Sequence, residues 1–142
     1  MINTNWAKWI QRAVLKHFKN NLSGHTVFLE TENVDKNNLD HWFEVRIDIN
    51  YKHLNRDQYL ATVTVDILVM STKKSNIYNA KMLTGAVASA YGDISVVDDN
   101  NIYKFCLRLD SDVIDTYYGE IEQQANMEQA TVEGTLVTYI LE

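Results

Sequence analysis

Acidic side chains on two neighbouring segments are the residues of this 142-residue chain best placed to bind a divalent cation. Glu44, Arg46 and Asp48 alternate along one segment, and Asp66 lies on the next. Converging carboxylates of this kind hold Mg²⁺ in nucleases. The same residues would also lie opposite one another on the polar face of a strand pair, where opposite charges stabilise the pairing. We favour the second interpretation and predict no metal site.

A second acidic string, Asp110-Ser111-Asp112-Val113, follows the apolar segment Cys106 to Leu109. It resembles the nucleophile motif of the haloacid-dehalogenase phosphatases, in which one Asp attacks the phosphoryl group and the other acts as acid or base. Most of the catalytic domain follows this motif in those enzymes, whereas about thirty residues follow it here. They do not supply the later Lys and the acidic Mg²⁺ ligands in order. Turn residues after a strand are the favoured interpretation.

Other residue types used in catalysis are scattered along the chain. The four histidines, His17, His25, His41 and His53, form no HxxxH or HExxH pair. The single cysteine, Cys106, cannot form an internal disulfide and is expected to be a buried apolar residue. The glycine-rich phosphate-binding motifs and GxSxG are absent from the sequence. We therefore predict no catalytic residue and no cofactor, and expect that the protein is not an enzyme.

The charge balance argues against a dedicated nucleic-acid binder. The chain has 13 Lys and Arg against 19 Asp and Glu, a formal charge of −6, whereas affinity for phosphate backbones comes chiefly from clustered Lys and Arg. No apolar run approaches the roughly 20 residues that span a bilayer, and the first residues lack the pattern of a signal peptide. A soluble protein made in the cytoplasm is expected.

Hydrophobic periodicity predicts two helices within one domain, residues 1–142. The first helix is expected from about Asn5 to Asn21, where apolar residues recur at intervals of three and four. The second is expected from about Ile77 to Ala90, after a cap at Ser75 or Asn76.

Strand signals are strongest in the middle of the chain. From Trp42 to Tyr51 and from Tyr59 to Met70, apolar and polar residues alternate strictly, so each segment has one apolar and one polar face. The connection is too short for a crossover, which predicts a long antiparallel hairpin. Further strands are predicted at 26–31, 94–97, 102–109 and 127–141. A polar loop is predicted at 32–38, and a loop or helical turn at 110–124.

The expected order is therefore α-β-β-β-α-β-β-β. This is an α+β fold with a mainly antiparallel sheet and both helices packed on one face. The other face of the sheet would be polar, so it would lie against solvent or against a partner.

Taken together, these elements resemble the tail terminator proteins of long-tailed bacteriophages, also called tail-to-head joining or tail completion proteins. The resemblance covers most of the chain and is one of pattern, without a diagnostic motif. Its matching pieces are the first helix with Trp6 and Trp9, the paired strands 42–47 and 59–69, the helix segment 81–87 and the closing strand 136–141.

Proteins of that family are small α+β subunits that form a hexameric ring, cap the growing tail tube and present the surface that joins the head. The resemblance implies a structural virion protein of the tail or neck, assembled in the host cytoplasm. Its partners would be copies of itself, the tail tube protein and a head-completion protein. DNA would pass through the lumen without specific binding, which suits an acidic chain. Assembly contacts are expected around the hairpin, at Trp42, Arg46, Asp48, Arg56 and Tyr59.

Two alternatives remain open. Another tail tube or neck subunit of similar topology would share the pattern of strands. A Mg²⁺-dependent nuclease-like or phosphatase-like enzyme would instead use one of the two acidic strings described above.

Overall fold

The computed structural model describes residues 2–72, 80–110 and 127–141 in full, and the backbone of 115–120. Within these ranges two helices and seven strands follow one another, in an α+β arrangement as expected. The elements are α1 (Trp6–Asn21), β1 (Val27–Leu29), β2 (His41–Asn55), β3 (Gln58–Thr72), α2 (Ala80–Ala90), β4 (Ile94–Val97), β5 (Tyr103–Leu109), β6 (Asp115–Glu120) and β7 (Met127–Leu141). The predicted start and caps of the second helix lie outside the described residues.

The sheet is built on β2, β3 and β7, each 15 residues long. The predicted hairpin is confirmed: β2 and β3 pair antiparallel, from His41 opposite Ser71 to Asn55 opposite Gln58. On its other side β3 pairs with β7 along its whole length, again antiparallel. β1 adds a short parallel strand outside β2. The strand order is β1-β2-β3-β7-β5-β4, with β6 also paired to β7.

One face of the sheet is buried under both helices. Side chains alternate along a strand, so the odd-numbered residues of β3 face the helices, and those from 61 to 69 are fully buried. The 3, 4 spacing of α1 places Ile10, Val14 and Phe18 on this face, where they are also fully buried. Leu83 and Val87 of α2 belong to the same apolar cluster. The opposite side of β2, β3 and β7 is called the outer face below.

Part of the segment 110–124, for which the sequence predicts a loop or helical turn, forms a strand. This prediction is wrong for β6, Asp115–Glu120, which runs antiparallel to β7 over its six residues. β5 pairs with the adjoining stretch of the same β7 edge, and the backbone N–H of Asp110 donates to the carbonyl of Thr135. β5 and β6 therefore continue one another along β7. The polar residues that follow β5 conceal this continuation because they break the period-two pattern.

Tyr91, directly after α2, connects both helices to the middle of the sheet. Its ring lies edge-on to that of Phe18 in α1, with 5.0 Å between centroids. Its hydroxyl shares its one proton between the carbonyls of Val65, at 2.5 Å, and Val132, at 3.0 Å. Burial raises the pKa of this hydroxyl, which therefore keeps its proton. Gly134 of β7 leaves the space for the ring, since a Cβ there would overlap it.

Replacing Gly134 by Ala should therefore destabilise the fold by about 2 kcal/mol, the usual cost of overpacking a buried contact. Urea unfolding at neutral pH measures this loss. The matched control is Gly85→Ala, on the exposed side of α2, where an added Cβ meets no atom within 4 Å. The control should be neutral or gain up to about 1 kcal/mol from helix propensity. Equal unfolding midpoints for Gly134→Ala and the wild type would contradict the Tyr91 contact.

Candidate functional site

A row of charged residues crosses the outer face at the centre of the sheet. The strand register places Arg46 of β2 opposite Asp66 of β3, and Asp66 opposite Glu133 of β7. Asp48 lies one outer-face position further along β2. From the segment after β1, Glu30 accepts a hydrogen bond from Arg46 Nε at 2.8 Å. These five residues are called the carboxylate row.

Negative charge exceeds positive charge in the carboxylate row. Arg46 is its only cation, and it is engaged by Glu30. Partial burial raises the pKa of Asp66, and Glu133 raises it further, while Arg46 lowers it. The Oδ1 atom of Asp66 is buried and has no hydrogen-bond partner among the described residues. The fold therefore disfavours the charged form of Asp66 relative to solvent.

The carboxylate row is not arranged as a metal site in the described residues. No three His, Cys, Asp or Glu side chains of that part of the chain lie close enough together to hold a metal ion. In the phosphatase-like string, Asp110 is exposed and its backbone continues the pairing with β7. Asp112 and Val113 lie outside the described residues. The carboxylate row can, however, repel anions from the outer face.

The five residues predicted at an assembly interface occupy different environments. Arg46 and Asp48 are exposed on the outer face, and Arg56 is exposed in the turn of the hairpin. Trp42 and Tyr59 are only 5% and 7% exposed. These two aromatic side chains pack within the chain itself, so only the three charged residues are available on the surface. Their role in assembly remains a prediction.

A second apolar cluster explains the burial of Trp42. It lies on the outer face, at the end of the hairpin furthest from the turn, and contains Phe28, Trp42 and Met70. Val34 and Leu39, from the segment that leads into β2, pack over it. The amine of Lys36 lies 5.9 Å from the Trp42 ring centroid and 2.9 Å from Glu44. The region predicted as a polar loop therefore covers one end of the outer face.

Tyr59 is buried by aromatic contacts on the face of the sheet that packs against the helices. Its ring lies 5.7 Å from that of Trp6, edge to face, and stacks on His53 at 4.8 Å. Next to this contact is a groove of about 380 Å³, bordered by Ile2, Trp9, Lys104 and Leu141 among others. Its lining combines polar and apolar surface and offers no acid–base pair.

Two of the scattered histidines meet in the structure. His25, after α1, and His41, at the start of β2, approach to 2.7 Å between Nδ1 and Nε2, so one ring donates a hydrogen bond to the other. Both rings pack near Phe43. Burial lowers the pKa of His41, the neighbouring His25 lowers it further, and Asp40 partly offsets this. Sequence spacing could not reveal the pair because sixteen residues separate its members.

Comparison with known proteins supports the fold. No protein-family model matches the chain, and no curated protein matches it in sequence. Among solved structures, one of the matching chains superposes with a TM-score of 0.59 over 96% of this chain and 92% of its own length, at 7% identity. This likeness concerns the fold alone. No helix in the described ranges has the length and apolar character needed to cross a membrane.

The raised pKa of Asp66 predicts that its charge costs stability at neutral pH. The folded chain holds the proton more readily than the unfolded chain does, so the cost is present above the folded pKa and disappears below the ordinary value of 3.8. Asp66→Asn should therefore raise the urea midpoint at pH 7, with the gain shrinking as the pH falls towards 3.8. The gain should be smaller in a Glu133→Gln background, where one source of repulsion is absent. A variant less stable than wild type at pH 7 would show instead that the attraction of Arg46 dominates.

The lowered pKa of His41 predicts the opposite dependence. The unfolded chain binds this proton more readily, so stability should be constant above the ordinary value of 6.5 and fall as the pH drops below it. Thermal unfolding from pH 7.5 to 5.5 measures the slope. His41→Gln should flatten the decline more than His53→Gln, a matched change at an exposed position. Equal slopes in the two variants would remove His41 as the cause.

Proposed function

We propose that the protein is a structural subunit of a phage tail or neck, similar to a tail terminator. In this proposal, copies form a ring, hexameric as in the family it resembles, that caps the tail tube and joins it to the head. The protein would act without catalysis, in the virion. The observation that carries the proposal is the outer face, which no described helix covers and which has the carboxylate row at its centre.

The outer face suits the wall of a channel for DNA. Thr62, Thr64 and Thr135 lie beside the carboxylate row on β3 and β7, and they are uncharged. The carboxylate row adds a net negative charge, which repels phosphates and so disfavours binding of DNA to the wall. Such a surface would let DNA move past without specific contacts.

A tail tube or neck subunit could use the same face to line a DNA channel. The terminal position in the tail is therefore a more specific claim than the role as a channel subunit. The enzyme alternatives receive less support. The described carboxylates around Asp66 do not group as metal ligands, and the one cation among them is hydrogen-bonded to Glu30.

Light scattering coupled to size-exclusion chromatography, followed by negative-stain imaging, tests the proposal. We expect either rings in solution or rings at the ends of added tail tubes. A chain that stays monomeric even with tail tubes present would contradict it.

A charge variant tests the channel separately. Glu133→Lys combined with Asp66→Asn should leave ring formation intact, because β3 and β7 are paired on both sides at these positions. The rings should, however, retain DNA at low salt. Asp57→Lys, an exposed change in the turn of the hairpin, is the matched control. Equal DNA retention by the two variants would place the outer face away from the channel.

A further inference from the structure

We infer that copies of this chain join edge to edge, with β2 of one copy pairing with β6 of the next so that the sheet continues across the contact. This inference deepens the proposed function, since it names the contact through which a ring would form. It commits to a second copy of the chain as the partner.

The first open edge belongs to β2. β1 pairs only with residues 43–45, and the described residues place no strand beside the remainder of β2, up to Asn55. The core-facing residues change at this point, because Val45 is buried whereas Ile47, Ile49 and Tyr51 are partly exposed. The Tyr51 hydroxyl is buried with no hydrogen-bond partner among the described residues. An open strand of this length is a template for another strand.

The second open edge belongs to β6. This strand pairs with β7 on one side, and the described residues place no strand on its other side. β4, at the other end of the strand order, is flanked by α1, where Lys8 and Arg12 bind Asp99 of the β4–β5 turn. The two open edges thus lie on opposite sides of one sheet. A single copy cannot bring them together, but neighbouring copies can.

The charges of the two edges are opposite on balance. The open part of β2 carries Arg46, Lys52 and Asp48, whereas β6 carries Asp115 and Glu120 and no basic residue. Residues 109–142, which include β6 and β7, contain eight Asp and Glu and no Lys or Arg. Residues 1–108 contain all 13 basic residues and 11 acidic ones. Lys52 and Arg56 are exposed near the open end of β2. Opposite charges across an edge contact favour association and fix its register.

Pairing of like edges is less favourable. Two β6 edges would bring two acidic segments together, and like charges directly opposite one another destabilise a strand pair. A contact between two β2 edges would be self-complementary and would stop at a dimer. Pairing of β2 with β6 leaves one open edge of each kind after every addition, which is the condition for a ring or filament.

Cysteine cross-linking in the full-length chain tests this contact. In a Cys106→Ala background, Asn50→Cys marks β2 and Thr116→Cys marks β6. A short thiol-specific cross-linker should convert the double variant into a ladder of dimers, trimers and larger species. Each single variant should stay uncross-linked, because neither edge meets its own kind. Dimers from Asn50→Cys alone, or no ladder from the double variant, would overturn the inference.

The same samples separate this inference from the proposed function. Rings seen by imaging without a ladder would refute the edge contact and leave the ring proposal standing. A ladder with open filaments alone would support the edge contact and contradict the ring.

A charge reversal provides a test that does not depend on cross-linking. Lys52→Glu should raise the concentration needed for assembly roughly tenfold, and mixing this variant with Glu120→Lys should restore assembly. Lys19→Glu, on the exposed side of α1, is the control and should assemble like the wild type. Unchanged assembly of Lys52→Glu would count against the charge match.

Discussion

The pairing of β3 with β2 on one side and β7 on the other determines both faces of the sheet. Side chains alternate along each strand, so a slip of one residue would turn the core residues of β3 to solvent and bring Asp66 under the helices. That slip would leave a carboxylate buried without a partner. The register of β3 therefore determines both which residues form the core and where the carboxylate row lies on the outer face.

Tyr91 gives this register a second constraint. Its hydroxyl shares one proton between a carbonyl on β3 and a carbonyl on β7, so it fits only when those two strands are aligned as observed. Gly134 contributes by having no side chain, because any Cβ at that point of β7 would occupy the space of the ring. Since Tyr91 follows α2 and packs on Phe18, the same contact fixes both helices over the sheet. One aromatic residue thus couples helix docking to strand alignment.

Hydrophobic periodicity predicts much of this fold. The features that it misses are contacts between residues that are distant in sequence. Strict alternation in β2 and β3 predicts their faces and the hairpin correctly, because each signal is contained within one segment. Burial of Trp42 is not predictable in this way, since it depends on a segment that folds back over the sheet. The His25–His41 pair and the Tyr91–Gly134 contact likewise join residues distant in sequence. β6 is not predicted because only its pairing with β7, in line with β5, identifies it as a strand.

Two features of the isolated chain are unfavourable and therefore informative. The fold raises the pKa of Asp66 and so disfavours its charge. Among the described residues, β2 also leaves backbone groups and three partly buried apolar side chains along an open edge. Selection for stability alone would neutralise the first and cover or shorten the second. A neighbouring copy paired along β2 would cover the apolar side chains and satisfy the edge. The outer face of such an extended sheet would then repeat the carboxylate row in every copy, so a charge that costs stability in one chain becomes a continuous acidic surface in the assembly.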